Sequence, residues 1–446
     1  MNKKPIQLSD HFTYGKLLKF TLPSIVMMVF TSIYSVVDGY FVSNYVGKTS
    51  FAAVNFIYPF LMILGAAGFM FGTGGSALTA KTMGEGKSEK AKEIFSLIIY
   101  TSLISGFIIA ILGFIFVKPI AKLLGADGQL LENCVIYGHI IILAVPAFIL
   151  QYVFQSFFIT AEKPTLGLAV TVSAGVTNMI FDAIFVAVFK WGLQGAAAAT
   201  ALSQVVGGII PLIYFSRPNK SCLRLTKTKF DISILTRTCT NGSSELMSNI
   251  SSSLVSMLYN TQLIKYAEEN GVSAYGVLMY VNFAFLAIFI GYSIGTAPVT
   301  GYHYGAGNSN ELKGILRKST VIISVFAVFM FLSAKLLSNP LAKIFVGYDN
   351  ELCELTNRAF SIFSFSFLFA GFAIFGSGFF TALNDGLTSA LISFLRTLVF
   401  QIASVIILPL IFGIDGIWAS MIFAEFMAAS ISVLFIFLKR KKYNYL

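Results

Sequence analysis

Long apolar stretches alternate with short polar segments along nearly the whole chain. Twelve of these stretches are long enough for a helix to cross the hydrocarbon core of a bilayer, which takes about 20 residues. They lie near residues 16–45, 51–82, 91–117, 132–158, 165–189, 193–215, 238–264, 272–303, 314–337, 352–381, 387–411 and 415–438. This pattern predicts an all-α polytopic membrane protein with twelve transmembrane helices.

The composition agrees with a membrane protein. Hydrophobic residues make up 56% of the 446 residues and charged residues only 11%, whereas soluble domains carry about 25% charged residues. The four cysteines and three histidines are scattered without the spacing of a metal site or a disulfide framework. The first apolar stretch contains no small-residue cleavage site, so we expect no signal peptide and a retained first helix.

The sequence shows no sign of an enzyme or of an ATP-driven pump. No metal cluster, nucleophile–base set or nucleotide motif stands out, so we expect no cofactor and no metal site of that kind. Gly86, Lys87 and Ser88 would end a Walker A motif, but the position that needs the first glycine of that motif is Lys81. We therefore do not expect ATP to drive this protein.

The basic residues lie mainly on one side of the predicted membrane. With the N-terminus inside, 22 of the 31 Lys and Arg residues fall in the inner segments and seven in the outer loops. Because cytoplasmic loops carry an excess of Lys and Arg, both termini are expected in the cytoplasm. The net charge of +11 then reflects the topology of a multi-pass protein in the cytoplasmic membrane, and we expect no nucleic-acid partner.

The chain contains an internal repeat with a nearly constant offset of 221 residues. Gly84 and Gly86, in G-T-G-G-S-A-L-T-A-K-T-M-G-E-G, correspond to Gly305 and Gly307, in S-I-G-T-A-P-V-T-G-Y-H-Y-G-A-G. A repeat of this length predicts two six-helix lobes related by a pseudo-two-fold axis along the membrane normal. The expected units are a first lobe over 1–215, a cytoplasmic linker over 216–237 and a second lobe over 238–446.

Two carboxylates interrupt segments that otherwise consist of apolar residues. Asp38 lies in the first predicted span and Asp182 in the fifth. A charged side chain inside the bilayer costs about 2.5–3.5 kcal/mol on insertion scales, so such residues mark functional sites by default. The second half lacks both acids, because Asp38 corresponds to Tyr259 and Asp182 to Ala403, and this asymmetry indicates a specialised site in the first lobe. The alternative is that Asp38 caps a break before Gly39 and that Asp182 merely faces water.

Polar residues at helical spacing accompany these acids. Tyr34 and Asp38 are four residues apart, as are Asn178 and Asp182, and residues at that spacing share a helix face. Thr200 on the sixth span would complete a pocket. Two neighbouring carboxylates repel each other when both are ionised, and a proton or a bound Na+ relieves that repulsion. We therefore expect a cation-coupling site, with oxygen ligands that also suit Na+.

Other polar residues in the spans leave two interpretations open. Arg396 and Glu425 lie on adjacent predicted helices, and a structural ion pair is the expected role rather than transport. Glu245, near the inner end of the seventh span, would either attract a cationic substrate or reach out to cytoplasmic water. The residues expected to contact substrate are Gln155, Gln204, Met279 and Glu245.

Several motifs taken together resemble those of multidrug and toxic compound extrusion (MATE) transporters, over essentially the full length of the chain. They are Pro23 and V-D-G-Y-F-V on helix 1, M-G-E-G after helix 2, N-M-I-F-D on helix 5, L-Q-G-A-A-A-A-T-A-L-S-Q on helix 6 and its echo I-D-G-I-W-A-S. In the second half, G-T-A-P-V-T-G-Y-H-Y-G-A-G is similar to the branch of Gram-positive multidrug exporters.

The resemblance implies a V-shaped twelve-helix fold that exchanges cationic, lipophilic compounds for H+ or Na+. The cation site that it implies consists of Asp38, Asn178, Asp182 and Thr200, with Tyr34 close by. One branch of the family instead places key carboxylates on helices 7, 8 and 10 of the second lobe. This chain departs from that branch, because helix 8 has no acid and helix 10 has none between Glu354 and Asp385.

We therefore expect a monomeric antiporter in which drug and cation prefer different states of the protein, with H+ favoured over Na+. Its expected partners are cationic lipophilic small molecules and membrane lipids. The alternative is a lipid-linked oligosaccharide flippase of related two-lobe architecture. Such a flippase would need several Arg and Lys residues in its cleft for a pyrophosphate, whereas only Arg396 is clearly buried in this chain.

Overall fold

The computed structural model describes residues 6–46, 48–347 and 349–445, and the secondary structure within these ranges is helical. The α-helices are α1 Tyr14–Tyr45, α2 Lys48–Gly84, α3 Ser88–Leu123, α4 Gly128–Leu143, α5 Val145–Thr160, α6 Pro164–Asp182, α7 Gly192–Ser216, α8 Ile232–Gly305, α9 Ser309–Val346, α10 Asn350–Phe363, α11 Phe367–Ala382, α12 Gly386–Phe394, α13 Phe400–Phe412 and α14 Ile414–Tyr443. Two π-helical turns, Ala183–Val188 and Leu395–Val399, and a 3-10 turn, Ser364–Ser366, lie between them. The all-α fold predicted from the hydrophobic pattern is confirmed.

The helices account for the predicted spans. Within the described residues, ten helical stretches are long and apolar enough to cross a membrane, and the bent pair α4 and α5 raises the number to eleven. The sequence predicts one straight span there, but the two helices meet at 55°. Pro146 explains the bend, because it lies at the start of α5 and has no amide proton to continue the hydrogen bonds of α4. The remaining predicted span is the first part of α8.

The backbone of α8 breaks in the middle of the helix. Ala267 has φ −147° and ψ 16°, and Glu268 has φ 51° and ψ −142°. A positive φ is costly for a residue with a Cβ, so the chain turns sharply at this point. The break coincides with the connection that the sequence predicts between the spans ending near 264 and beginning near 272. Each part of α8 therefore corresponds to one predicted span.

The linker between the halves is shorter than the sequence predicts. α8 begins at Ile232, whereas the expected linker extends to residue 237. The cause is a helix cap, because the carboxylate of Asp231 accepts hydrogen bonds from the amides of Ser233 at 2.9 Å and Ile234 at 3.3 Å. A carboxylate at this position satisfies amides that would otherwise lack a partner, so the helix starts earlier than hydrophobicity alone indicates.

The first residues of each half pack against the other half. Among the described residues, buried apolar side chains form one large cluster centred on the second half and two in the first half. Leu8 and Phe12 near the N-terminus pack into the second-half cluster, whereas Leu223 of the linker and Ile234 of α8 pack with a first-half cluster. Both of these packing contacts lie on the side of the protein that also carries Tyr443, near the C-terminus. We call this side the terminal face.

Close backbone contacts join the lobes near the terminal face. A Cβ atom on Gly84 of α2 would lie 2.0 Å from the carbonyl oxygen of Tyr302, and one on Gly305 of α8 would lie 2.0 Å from the carbonyl oxygen of Lys81. Because glycine has no Cβ, α2 and α8 can approach each other to backbone contact. This reciprocal glycine contact lets the two lobes meet closely at the terminal face.

Candidate functional site

Three helices of the first lobe bring predicted site residues together. Asp38 lies on α1, Asn178 on α6 and Thr200 on α7. The hydroxyl group of Thr200 donates to Oδ1 of Asp38 at 3.5 Å and accepts from Nδ2 of Asn178 at 3.5 Å. Both distances exceed the roughly 2.7–3.2 Å of a typical hydrogen bond. Thr200 thus connects the other two residues through long contacts.

Asp182 is the most enclosed residue of this group. Its side chain is fully buried at the end of α6. It lies close enough to the carboxyl group of Asp38 for the two charges to repel each other. Among the described residues, no donor reaches either carboxylate oxygen of Asp182 or the amide oxygen of Asn178. A buried acceptor without a donor costs about 1–3 kcal/mol. The group therefore has more oxygen acceptors than the surrounding protein satisfies.

An excess of oxygen acceptors around two carboxyl groups suits a small cation. A bound proton would convert one carboxylate oxygen into a hydrogen-bond donor for a neighbouring acceptor. Na+ would instead be held by carboxylate, amide and hydroxyl oxygens, which are the donors that hard cations prefer. The residues present therefore fit both of the coupling ions that the resemblance implies.

The backbone changes its geometry directly after Asp182. α6 ends at this residue, and a π-helical turn follows over Ala183–Val188. Such turns are rare and occur frequently at functional sites, because the extra residue rotates the side chains that follow. The run A-I-F-V-A-V gives no sign of the turn, so the sequence analysis predicts an uninterrupted helix here.

Two tyrosines border the acids. Tyr34, which the sequence analysis includes, lies one turn before Asp38 on α1 and within electrostatic reach of its carboxyl group. Tyr137 on α4, which the sequence analysis misses, is buried, and its hydroxyl group lies beside Thr200. A buried tyrosine usually finds a partner for its hydroxyl group. That rule is the signal that could have drawn attention to Tyr137 inside an otherwise apolar span.

The four residues expected to contact substrate lie on different helical segments. Gln204 follows Thr200 by one turn on α7, and its buried amide oxygen has no donor among the described residues. Gln155 on α5 lines a narrow crevice within the first lobe. Met279, in the second part of α8, packs against the apolar cluster of the second lobe, and Glu245 lies in the first part of α8. Their contact with a substrate stays a prediction.

Arg396 and Glu425 are joined by a two-pronged ion pair in the second lobe. Nε and a terminal nitrogen of the guanidinium group each donate to the carboxylate at 2.8 Å. The pair connects the π-helical turn Leu395–Val399 to α14, and Glu245 lies within electrostatic reach of Arg396. Because the guanidinium group is engaged in this way, the geometry is consistent with the structural role that we expect for the pair.

Known proteins share the sequence pattern and the fold of this chain. The MatE family model matches residues 23–184 and 246–407, once in each half. The multidrug export protein MepA of Staphylococcus haemolyticus is 24% identical over 433 residues, which cover 96% of this chain and 94% of that protein. A crystal structure of MATE in complex with MaL6 superposes with a TM-score of 0.94 at 22% identity, covering 100% of both chains. The outward-facing conformation of a multidrug resistance MATE family transporter superposes with a TM-score of 0.93 at 21% identity, also over 100% of both chains.

Proposed function

The chain belongs to the MatE family of transporters, and from this premise we propose that it is a cation-coupled antiporter that exports cationic lipophilic compounds across the cytoplasmic membrane. It is a transporter and not an enzyme. A relative that matches nearly the whole chain carries the name multidrug export protein, which supports drug-like compounds as substrates.

The observation that carries the coupling proposal is the unsatisfied acceptor cluster in the first lobe. The carboxylate oxygens of Asp182 are fully buried beside Asp38 and have no donor among the described residues. An apolar surrounding disfavours two ionised carboxyl groups in contact, because their repulsion is not screened by water. A bound cation relieves this repulsion and so stabilises the cluster. We favour H+ over Na+, because one proton can both remove a charge and supply a hydrogen-bond donor.

Coupling follows from the different states that each ligand prefers. Protons that enter from the face opposite the termini neutralise Asp38 and Asp182 and favour a rearranged first lobe. A cationic drug is attracted to the same lobe only while the carboxyl groups are ionised. Binding of protons and binding of the drug therefore lower each other's affinity by the same factor. The inward proton gradient can then drive the drug out of the cell.

The orientation and the oligomeric state belong to the same proposal. The excess of Lys and Arg on the terminal face supports a cytoplasmic position for both termini. Export then requires the reciprocal contact of Gly84 and Gly305 to separate when the cleft opens towards the cytoplasm. We propose a monomer surrounded by membrane lipids, since both lobes and the acceptor cluster are contributed by one chain.

The flippase alternative has less support. A pyrophosphate carrier needs cationic side chains that are free in the cleft. Arg396 is the buried arginine that the sequence analysis offers for this role, and both prongs of its guanidinium group are bound to Glu425. The acids Asp38 and Asp182 would in addition repel a pyrophosphate.

Efflux from proteoliposomes tests the proposal. Purified protein is reconstituted with ethidium as the transported dye, and a pH gradient and an Na+ gradient are imposed separately. We expect the pH gradient alone to drive efflux and Asp182→Asn to abolish it, because an amide cannot exchange a proton in this range. Asp127→Asn is the matched control, since it makes the same chemical change at an exposed residue of the same lobe.

Each outcome of this assay has a consequence. Full efflux by Asp182→Asn, with the variant eluting as a single folded species, would overturn the site assignment. Efflux driven only by Na+ would keep the site and replace H+ as the coupling ion. Absence of ethidium efflux under both gradients, for a protein that binds no lipophilic cation, would contradict drug export and favour a lipid substrate.

A further inference from the structure

A second polar site lies far from the acids, at the terminal face of the first lobe. A cavity of about 440 Å³ opens between the end of α2 and the starts of α3 and α8. Its basic lining consists of Lys81, Lys87, Lys90 and Arg237, and its acidic lining of Glu85 and Asp231. Leu78, Ile94 and Ile234 form an apolar wall. The transport cycle proposed above uses none of these side chains.

The two acids of the cavity are already engaged. Glu85 pairs with the ammonium group of Lys87 at 2.8 Å. Asp231 caps α8 through the two backbone amides described above. Among the described residues, no ion pair is formed by Lys90 or Arg237, and Lys81 faces the ring of Tyr304 at 5.1 Å rather than a carboxylate. Three cations of the lining are therefore left without a carboxylate partner.

The second lobe contains the repeat equivalent of this cavity, and there it is filled by protein. Glu311 stands three residues after Asn308, the cap of α9, just as Lys90 stands three residues after Lys87, the cap of α3. Glu311 accepts hydrogen bonds from the amide of Phe12 at 2.8 Å and from Nδ1 of His11 at 2.7 Å. The ring of Phe12 is fully buried there. In the second lobe the chain's own N-terminal segment thus occupies the pocket.

The first lobe cannot be filled in the same way. At the repeat offset, Phe12 corresponds to Ser233, which is exposed at the start of α8 and has no ring to bury. Lys90 replaces Glu311, and an ammonium group cannot accept a hydrogen bond from a backbone amide. The two substitutions together turn a plugged, acidic pocket into an open, basic one. The difference between the copies points to a ligand that carries negative charge.

We propose that this cavity binds the phosphate headgroup of an anionic phospholipid from the leaflet at the terminal face. Basic pockets between transmembrane helices on the cytoplasmic side bind anionic headgroups, and anionic lipids are enriched in that leaflet. In this arrangement Lys90 and Arg237 contact the phosphate, and Lys81 adds a third positive charge to the lining. The apolar wall formed by Leu78, Ile94 and Ile234 receives the start of the acyl chains.

Lipid titration of the full chain in detergent tests the proposal. Phosphatidylglycerol and phosphatidylcholine with the same acyl chains are added separately, and bound lipid is counted by native mass spectrometry. We expect one phosphatidylglycerol molecule to be retained in preference to phosphatidylcholine. The double variant Lys90→Glu with Arg237→Gln should weaken that binding by at least about tenfold, since both cations that face the phosphate are removed. Lys313→Glu, at an exposed position of α9 on the same face, is the matched control and should bind as the unmodified protein does.

Three results would overturn the proposal. Equal binding of both lipids would show that negative charge is not recognised. Unchanged phosphatidylglycerol binding by a folded double variant would place the lipid elsewhere. Displacement of the lipid by millimolar glycerol 3-phosphate, combined with binding of that compound alone through Lys90, would identify a soluble phosphate as the ligand instead of a lipid.

Discussion

Among single residues, Thr200 connects the groups that we propose to bind the cation. Its hydroxyl group is the link between Asp38 and Asn178, and both of its contacts are long. A hydroxyl group can donate to one neighbour and accept from another at the same time. Thr200 therefore provides one route from Asp38 to α6, beside the direct interactions of Asp38 with Asp182 and Asn178.

Replacing this hydroxyl group should weaken coupling without unfolding the protein. Thr200→Val keeps the shape of the side chain and removes the contact with the carboxyl group of Asp38, which at 3.5 Å contributes no more than a typical hydrogen bond, about 0.5–1.5 kcal/mol. We expect the initial rate of efflux driven by a pH gradient to fall about two- to tenfold, and Thr200→Ser to restore most of it. Thr177→Val is the control, because that hydroxyl group donates to the carbonyl oxygen of Ser173 in its own helix at 2.7 Å and has no other partner among the described residues. An equal loss in both valine variants would contradict a specific role for Thr200.

The sequence predicts part of this site and not the rest. Asp38 and Asp182 are conspicuous because a carboxylate in an apolar span has a large cost, and Asn178 and Tyr34 follow from helical spacing. Tyr137 is not predicted, since tyrosine is common in apolar spans and its contact with Thr200 depends on how α4 bends. The π-helical turn after Asp182 depends on packing between helices, which local sequence does not encode.

At the scale of elements, the N-terminal segment ahead of α1 ties the two lobes together. The amide of Leu8 donates to Glu162 of the first lobe at 2.7 Å, and the amide of Phe12 donates to Glu311 of the second lobe at 2.8 Å. The side chains of Leu8 and Phe12 are both fully buried. The repeat predicts two lobes but does not predict this bridge, because it arises from a segment that crosses between them.

Removal of the Glu311 carboxylate should release this segment. Glu311→Ala leaves the buried amide of Phe12 without its acceptor, at a cost of about 1–3 kcal/mol, so amide hydrogen exchange over residues 8–13 should accelerate by about tenfold or more. Hydrogen exchange followed by mass spectrometry measures this directly. Glu351→Ala, an exposed acid in the first turn of α10, is the control. Exchange that remains slow in Glu311→Ala would show that burial of Phe12 alone holds the segment.

Hydrogen bonds to Asp385 hold α14 against the start of α12. Oδ2 of Asp385 accepts from the hydroxyl group of Tyr443 at 2.8 Å and from the ammonium group of Lys439 at 3.0 Å. Burial acts to raise the pKa of Asp385, but the hydrogen bonds from Tyr443 and Lys439 outweigh it and hold the pKa below its ordinary value of 3.8. The ionised carboxylate is therefore the form that stabilises the folded protein.

The pH dependence of stability follows from the sign of this shift. Because the pKa is lower in the folded state, the stabilisation is present above the pKa of the unfolded chain and is lost as the pH falls through the folded pKa. Asp385→Asn should lower the Tm at pH 7, and its difference from the unmodified protein should shrink as the pH falls below 3.8. Differential scanning fluorimetry of the solubilised protein measures both. A Tm difference that is the same at every pH would exclude the carboxylate charge as its source.

For the whole molecule, the reciprocal glycine contact lets α2 and α8 approach each other to backbone contact at the terminal face. The sequence predicts the repeat that pairs Gly84 with Gly305, but it does not predict that these two residues face each other across the lobes. That arrangement depends on the crossing of the halves at the terminal face. The contact therefore depends on how the lobes are arranged in three dimensions and not on the repeat alone.

A methyl group at this contact should separate the lobes. A Cβ on Gly84 would lie 2.0 Å from a backbone carbonyl oxygen, which cannot move aside as a side chain can. We expect Gly84→Ala to shift the distance between spin labels on the two lobes at the terminal face towards longer values in double electron–electron resonance. Gly15→Ala is the matched control, because a Cβ there meets no atom within 4 Å. An unchanged distance distribution in Gly84→Ala would mean that the lobes do not close through this contact.

The polarity of the first part of α8 bears on how the chain is made. This segment carries Glu245 among serines and asparagines, and it is not among the stretches apolar enough to cross a membrane by themselves. The second part, Asn270–Gly305, is among them and follows directly after the break at Glu268. We therefore expect the polar segment to enter the bilayer together with its apolar successor, as one hairpin, rather than alone. The placement of the first helix of the second lobe then depends on the helix that follows it in the chain.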